Sequence, residues 1–178
     1  NYIKFTGDYN GPIEKLRQLT DSGARFGKFP KSLQSENITI EHIPAELIIP
    51  PQADAHSALL YLHGGGYALG SVKSHRATAG QLAEAGKIHT LIIDYRRPPE
   101  NPFPAALQDA LTAYDWLRKN GYETIMIAGD SAGGGLALST AISLRDNQTT
   151  MPLQVICLSP VIDVECTGES VITNARRD

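Results

Sequence analysis

The sequence lacks the features of membrane-spanning and nucleic-acid-binding proteins. None of its apolar runs approaches the roughly 18 residues that cross a bilayer. It contains no run of Lys and Arg, and its formal net charge is −3 at pH 7. Its first residues show no apolar core after a basic start, so we expect no signal peptide in them. We therefore predict no membrane span and no nucleic-acid partner.

Cysteine is scarce, with 2 residues among 178. Cys157 and Cys166 do not have C-x-x-C spacing, which argues against a disulfide framework and against a zinc site. No other cluster of metal-ligating residues is visible, so we predict no metal. Isolated cysteines favour a reducing cytoplasm as the location.

Glycine is plentiful, at 16 residues, but it does not form the loops that hold nucleotides. G-x-G-x-x-G is absent, and neither Gly129 nor Gly134 begins a stretch ending in G-K-[ST]. We therefore expect neither a dinucleotide nor a nucleotide.

Hydrophobic periodicity predicts an α/β protein with one domain. An amphipathic helix is expected within 11–26, followed by strands and helices that alternate. The predicted strands are 36–43, 45–50, 57–63, 88–95, 124–130 and 153–159, and the predicted helices are 75–86, 104–121 and 132–146. This alternation favours a mostly parallel sheet with helices on both faces, whose ligand site lies beyond the carboxyl ends of the strands.

Two glycine-rich stretches follow predicted strands. Gly129-Asp130-Ser131-Ala132-Gly133 fits G-x-S-x-G, in which a serine on a tight strand-to-helix turn projects its hydroxyl as a nucleophile. His63-Gly64-Gly65-Gly66 follows an earlier strand, and successive glycines can present N–H groups to a developing oxyanion. Alone, G-x-S-x-G is as often a plain glycine turn as a nucleophile, and the three-glycine stretch is less often a plain turn. Two such stretches at strand ends favour an acyl-transfer site.

These stretches, with "DYRRPPENPFPAALQDA" from Asp94 and "LSPVID" from Leu158, resemble the hormone-sensitive-lipase-like (bacterial family IV) carboxylesterases of the α/β-hydrolase superfamily. The resemblance covers about 58–178. The family's typical "DYRLAPE" reads "DYRRPPE" here, so Arg97 and Pro98 depart from it. The resemblance implies hydrolysis of short- to medium-chain carboxylic esters without a cofactor. It also implies that 1–35 is an N-terminal cap segment and 36–178 the N-terminal part of the catalytic domain.

The resemblance implies a role for each matching residue. Ser131 would attack the ester carbonyl, and the oxyanion would be held by N–H groups of Ala132, Gly64, Gly65 and Gly66, with Gly65 and Gly66 favoured. His63 and Asp130 would be structural supports of the site.

The sequence lacks a base for Ser131. All five histidines precede it, at 42, 56, 63, 75 and 89. His75 is expected to open a helix near the right face and to be a surface residue, and Asp163 is expected to be structural. We therefore predict the N-terminal portion of an enzyme, whose acid and histidine come from a C-terminal part outside these residues. The apolar strand 153–159 would be an exposed edge without that part.

Two alternatives stay open at this point. One is a non-catalytic small-molecule binder on a hydrolase scaffold, and the other is a thioesterase or an amidase. The acyl chain and the alcohol are not indicated by the sequence, and a homodimer is left open.

Overall fold

The computed structural model describes residues 12–23, 27–163, 165, 167–169 and 173. The predicted order of helices and strands is confirmed within these residues. The elements are α1 (Ile13–Gly23), β1 (Gln34–Ile40), β2 (Ile43–Ile49), β3 (Asp54–Leu62), α2 (Val72–Gly86), β4 (Ile88–Ile93), α3 (Ala105–Lys119), β5 (Thr124–Asp130), α4 (Ala132–Asp146) and β6 (Gln154–Leu158).

The six strands form one sheet in the order β1-β2-β4-β3-β5-β6. β1 and β2 are antiparallel, as are β2 and β4, whereas β4, β3, β5 and β6 run parallel to one another. The α/β fold with a mostly parallel sheet is therefore confirmed. Because β3 and β5 are neighbours, the loops that follow them lie side by side at one edge of the sheet.

The two faces of the sheet are covered by different helices. Alternate residues of β3 point to opposite faces, because side chains alternate along a strand. Leu60 and Leu62 pack in a cluster with residues of α3 and α4, and Leu59 and Tyr61 pack in a second cluster with residues of α2. All four side chains are buried, which holds β3 rigidly at the centre of the sheet.

Several predicted boundaries differ from the observed ones by up to three residues, and two of these differences have a clear physical cause. α2 begins at Val72 rather than at His75, because Ser71 and Ser74 form a capping box that starts the helix earlier. His75 therefore lies inside the first turn. The turn between β1 and β2 falls at Glu41, whose φ is 56°, and Pro44 is part of β2 rather than the break between two strands.

β6 lies at the margin of the sheet, where it pairs with β5 alone among the described strands. Its Ile156 and Leu158 are 39% and 41% exposed, and Cys157 is half-buried rather than in the core. Cys166 and residues 1–11 lie outside the described part of the chain. No helix in the described part is long and apolar enough to cross a membrane.

Candidate active site

Ser131 lies between β5 and α4 in a backbone conformation that residues other than glycine rarely adopt. Its φ is 51° and its ψ is −120°. The predicted strand-turn-helix is confirmed. The Ser131 N–H donates to the Leu158 carbonyl at 2.9 Å, and its own carbonyl accepts from Val161 N–H at 2.9 Å. These bonds to β6 and the segment after it hold a conformation that costs of order 1–3 kcal/mol.

The glycines around Ser131 are required by close backbone contacts. A Cβ on Gly129 would overlap the carbonyl of Gly133, the second residue of α4. A Cβ on Gly133 would overlap the carbonyls of Leu62 and His63 at the end of β3. The first turn of α4 therefore packs directly on the backbone that leads into the glycine loop, residues 64–70.

The glycine loop is a tight turn with one open side. Gly65 and Gly66 have φ values of 127° and 60°. The Gly65 carbonyl accepts from the N–H groups of Ala68 and Leu69, at 3.2 and 2.8 Å, which closes the turn. A Cβ on Gly66 would meet nothing within 4 Å, so this side of the loop is open.

Asp130 joins the nucleophile turn to the glycine loop. Its Oδ1 accepts from the Tyr61 hydroxyl at 2.7 Å and from the Gly64 N–H at 3.0 Å, and its Oδ2 lies 3.4 Å from His75 Nε2. Burial raises the pKa of Asp130, but the contacts with His75, Tyr61 and Gly64 outweigh it, so that the pKa lies below its usual range. The carboxylate is therefore held ionised between the two loops.

This arrangement changes the set of candidate oxyanion donors. The N–H of Gly64 already donates to Asp130, so it is not free to bind an oxyanion. Gly65, Gly66 and Ala132 remain from the predicted set. Ala132 is the first residue of α4, and the first N–H groups of a helix have no acceptor within the helix.

His63 is buried under the glycine loop. Its Nδ1 lies 2.9 Å from the Gly64 carbonyl, and its ring stacks on Tyr95 with centroids 4.2 Å apart. The Tyr95 hydroxyl donates to the His63 carbonyl at 2.7 Å. Burial lowers the pKa of His63 to about 3, so the ring is neutral near pH 7. A neutral ring packed in this way fits a structural role in which His63 supports the glycine loop.

The structure brings no histidine to Ser131. His75 is the histidine expected near the right face, but its Nδ1 lies 2.9 Å from Ser74 Oγ and its Nε2 faces Asp130. Among the described residues, which include all five histidines, no histidine forms a hydrogen bond with the Ser131 hydroxyl. Asp163 is occupied as well, since it accepts from the backbone of Glu165 and from Thr167 within its own turn.

An apolar cavity of about 400 Å³ opens between the glycine loop and α4. Sequence reasoning missed this cavity, although Tyr67 directly follows the three glycines. The Tyr67 hydroxyl would lie 2.9 Å from a Cβ built on Gly135, in the first turn of α4. The cavity is lined by Tyr67, Pro98, Asn101, Phe103, Ala106, Leu107, Leu136 and Ser139.

The model of a known family matches this chain over residues 59–178, and its description is the α/β hydrolase fold. That span is more than half of the sequence, and it contains both loops of the candidate site. The chain belongs to the α/β hydrolase fold family.

Relatives of this α/β hydrolase include proteins named as ester hydrolases. It is 45% identical over 172 residues to an acetyl-hydrolase from Streptomyces hygroscopicus, an alignment that covers 95% of this chain and 57% of the relative. It is 37% identical to an ethyl acetate hydrolase from Pseudomonas putida, covering 89% and 55% of the two chains.

Solved structures agree with this assignment. A crystal structure of an esterase from the bacterial hormone-sensitive lipase family matches with a TM-score of 0.90 and 40% identity, covering 94% of this chain and 57% of the other. The resemblance to hormone-sensitive-lipase-like esterases is confirmed. The α/β hydrolase chain described here spans about 57% of the length of these relatives.

Proposed function

We propose that this α/β hydrolase cleaves carboxylic esters through an acyl-enzyme formed on Ser131. The observation that carries the proposal is the strained turn at Ser131, which is packed directly against the backbone of the glycine loop. A serine held at positive φ between a strand and a helix is the geometry of the nucleophile in this fold. The Ser131 oxygen would bond to the ester carbonyl carbon, the alcohol would leave with a proton, and water would then release the acid.

The oxyanion formed in both steps would be stabilised by N–H groups of Ala132, Gly65 and Gly66. Ala132 lies at the start of the 15-residue α4, whose positive dipole end favours a developing negative charge. His63 and Asp130 would support the loop without touching the substrate.

The substrates would be small esters with short to medium acyl chains. The apolar cavity of about 400 Å³ beside the glycine loop suits an aliphatic chain or a small ring. The names of the acetyl-hydrolase and the ethyl acetate hydrolase also point to small acyl groups. A serine hydrolase of this kind needs no cofactor.

The base for Ser131 and the acid that orients it would come from outside these 178 residues. In this fold the partners follow the serine in the order acid, then histidine. No histidine follows Ser131 here, and His75 is held by Ser74 and Asp130. The C-terminal part of the same protein would therefore be a required partner.

The test compares the complete polypeptide with residues 1–178 on p-nitrophenyl acetate and p-nitrophenyl butyrate. We expect turnover by the complete protein and its loss in Ser131→Ala. Ser143→Ala is the matched control, because Ser143 is also on α4 but lies near its C-terminal end and does not line the apolar cavity. Turnover that survives Ser131→Ala would refute the assignment of the nucleophile.

Residues 1–178 alone should be slower by orders of magnitude, since an oxyanion hole without its triad retains only about 10³–10⁴-fold acceleration over water. Complete activity in 1–178 that is lost in His75→Ala would identify His75 as the base. Saturable binding of esters without any turnover by the complete protein would instead support a non-catalytic binder.

A further inference from the structure

Helix α1 is attached to the rest of the protein without burying a side chain. None of its residues, from Ile13 to Gly23, is buried, and Leu19 is 53% exposed. Ile13 and Leu16 are half-buried, so apolar packing positions the helix only in part. Polar contacts add to this attachment.

Most of these contacts come from Arg17. Its guanidinium donates two hydrogen bonds to the carboxylate of Glu100, at 2.9 and 2.8 Å. It also donates to the Ala68 carbonyl at 2.9 Å and to the Pro98 carbonyl at 2.8 Å. The planar fork of arginine suits such a bidentate bond, which a lysine ammonium cannot reproduce.

The two carbonyls bound by Arg17 belong to the segments that form the candidate site. Ala68 is part of the glycine loop, and its own N–H closes the turn at Gly65. Tyr67, the preceding residue, lines the apolar cavity, and so does Pro98. One side chain therefore connects two walls of the cavity that are about thirty residues apart in sequence.

A second contact orients the helix. Asp21, one turn after Arg17, accepts from the Ser71 hydroxyl at 2.5 Å. Ser71 is the N-cap of α2, directly after the glycine loop. Polar groups thus attach helix α1 to both ends of the loop segment 68–71.

We propose that Arg17 is a positioning residue, which fixes the glycine loop and the Pro98 segment relative to each other and so sets the shape of the substrate cavity. The proposal rests on the proposed ester hydrolysis at Ser131. Helix α1 then acts as a strap whose attachment is partly electrostatic. The Arg17 side chain is 20% exposed and that of Glu100 44%, so salt weakens this attachment.

The experiment uses the complete polypeptide and the variants Arg17→Gln and Arg17→Lys. The control is Arg145→Gln, because Arg145 also forms an ion pair, with Asp146, but at the far end of α4. Two assays are used. The first measures kcat and KM for p-nitrophenyl butyrate, and the second measures amide hydrogen exchange in the peptide that covers 13–23.

We expect Arg17→Gln to raise KM about tenfold with a smaller change in kcat, and to speed exchange in α1. Arg17→Lys should recover part of both effects, and Arg145→Gln should change neither. The proposal would be overturned if Arg17→Gln left KM and hydrogen exchange unchanged. It would also be overturned if Arg17→Gln lowered kcat without raising KM. A parent protein without esterase activity would contradict the proposed function, whereas unchanged exchange in Arg17→Gln would still refute the strap.

Discussion

Replacing Asp130 separates its role as a hydrogen-bond acceptor from its charge. Its carboxylate accepts from Tyr61 and Gly64 and thereby ties the nucleophile turn to the glycine loop. Asp130→Ala removes the acceptor and leaves the buried Tyr61 hydroxyl without a partner. Asp130→Asn keeps an oxygen for the same two donors, and its new amide group takes the place of the oxygen that faces His75.

The magnitude follows from the two bonds. Hydrogen bonds to a charged group contribute about 1.5–3 kcal/mol each. The Asp130 side chain is 29% exposed, so we take the lower end and expect Asp130→Ala to lower the free energy of unfolding by about 3 kcal/mol. Release of Gly64 displaces the neighbouring N–H donors, and loss of one oxyanion donor lowers kcat by about 10²–10³. We therefore expect kcat to fall about 100-fold.

The assays are urea unfolding and p-nitrophenyl acetate hydrolysis by the complete protein. Asp130→Asn should stay within about tenfold of the parent kcat, because its geometry is retained. An Asp130→Ala variant with the parent kcat would show that the carboxylate does not position the loop. An Asp130→Asn variant as impaired as Asp130→Ala would show that the charge, rather than the acceptor, is required.

Two further predictions concern stability. Gly133→Ala should lower the free energy of unfolding in urea by more than about 2 kcal/mol, because its Cβ would overlap the Leu62 carbonyl. Gly23→Ala is the control and should be neutral, because a Cβ on Gly23 would meet nothing within 4 Å. Equal effects of the two substitutions would refute the close contact at Gly133. The pKa of the buried His63 is lowered to about 3, so its ring binds a proton more weakly in the folded protein than in the unfolded chain. The contribution of His63 to the free energy of unfolding is therefore complete above pH 6.5 and is lost as the pH falls toward 3. The free energy of unfolding should therefore be about 2 kcal/mol lower at pH 5 than at pH 7, and this difference should be smaller in His63→Gln. An equal difference in His63→Gln would show that His63 does not cause it.

The sequence alone was sufficient for the order of the strands and helices and for the place of the two loops. Both depend on local signals. Apolar periodicity distinguishes strands from helices, and the glycines around Ser131 mark a turn that any Cβ would obstruct. The absence of a histidine after position 89 was equally visible without a structure.

Tertiary structure decided which groups of the loops are free. Gly64 was a predicted oxyanion donor, but Asp130, 66 positions later, accepts its N–H. The contact of Arg17 with Glu100 joins residues 83 positions apart, and the cavity is assembled from three separate segments. Periodicity and motifs describe neighbours along the chain, whereas these contacts depend on which strands pair and on how far each side chain reaches across the sheet edge.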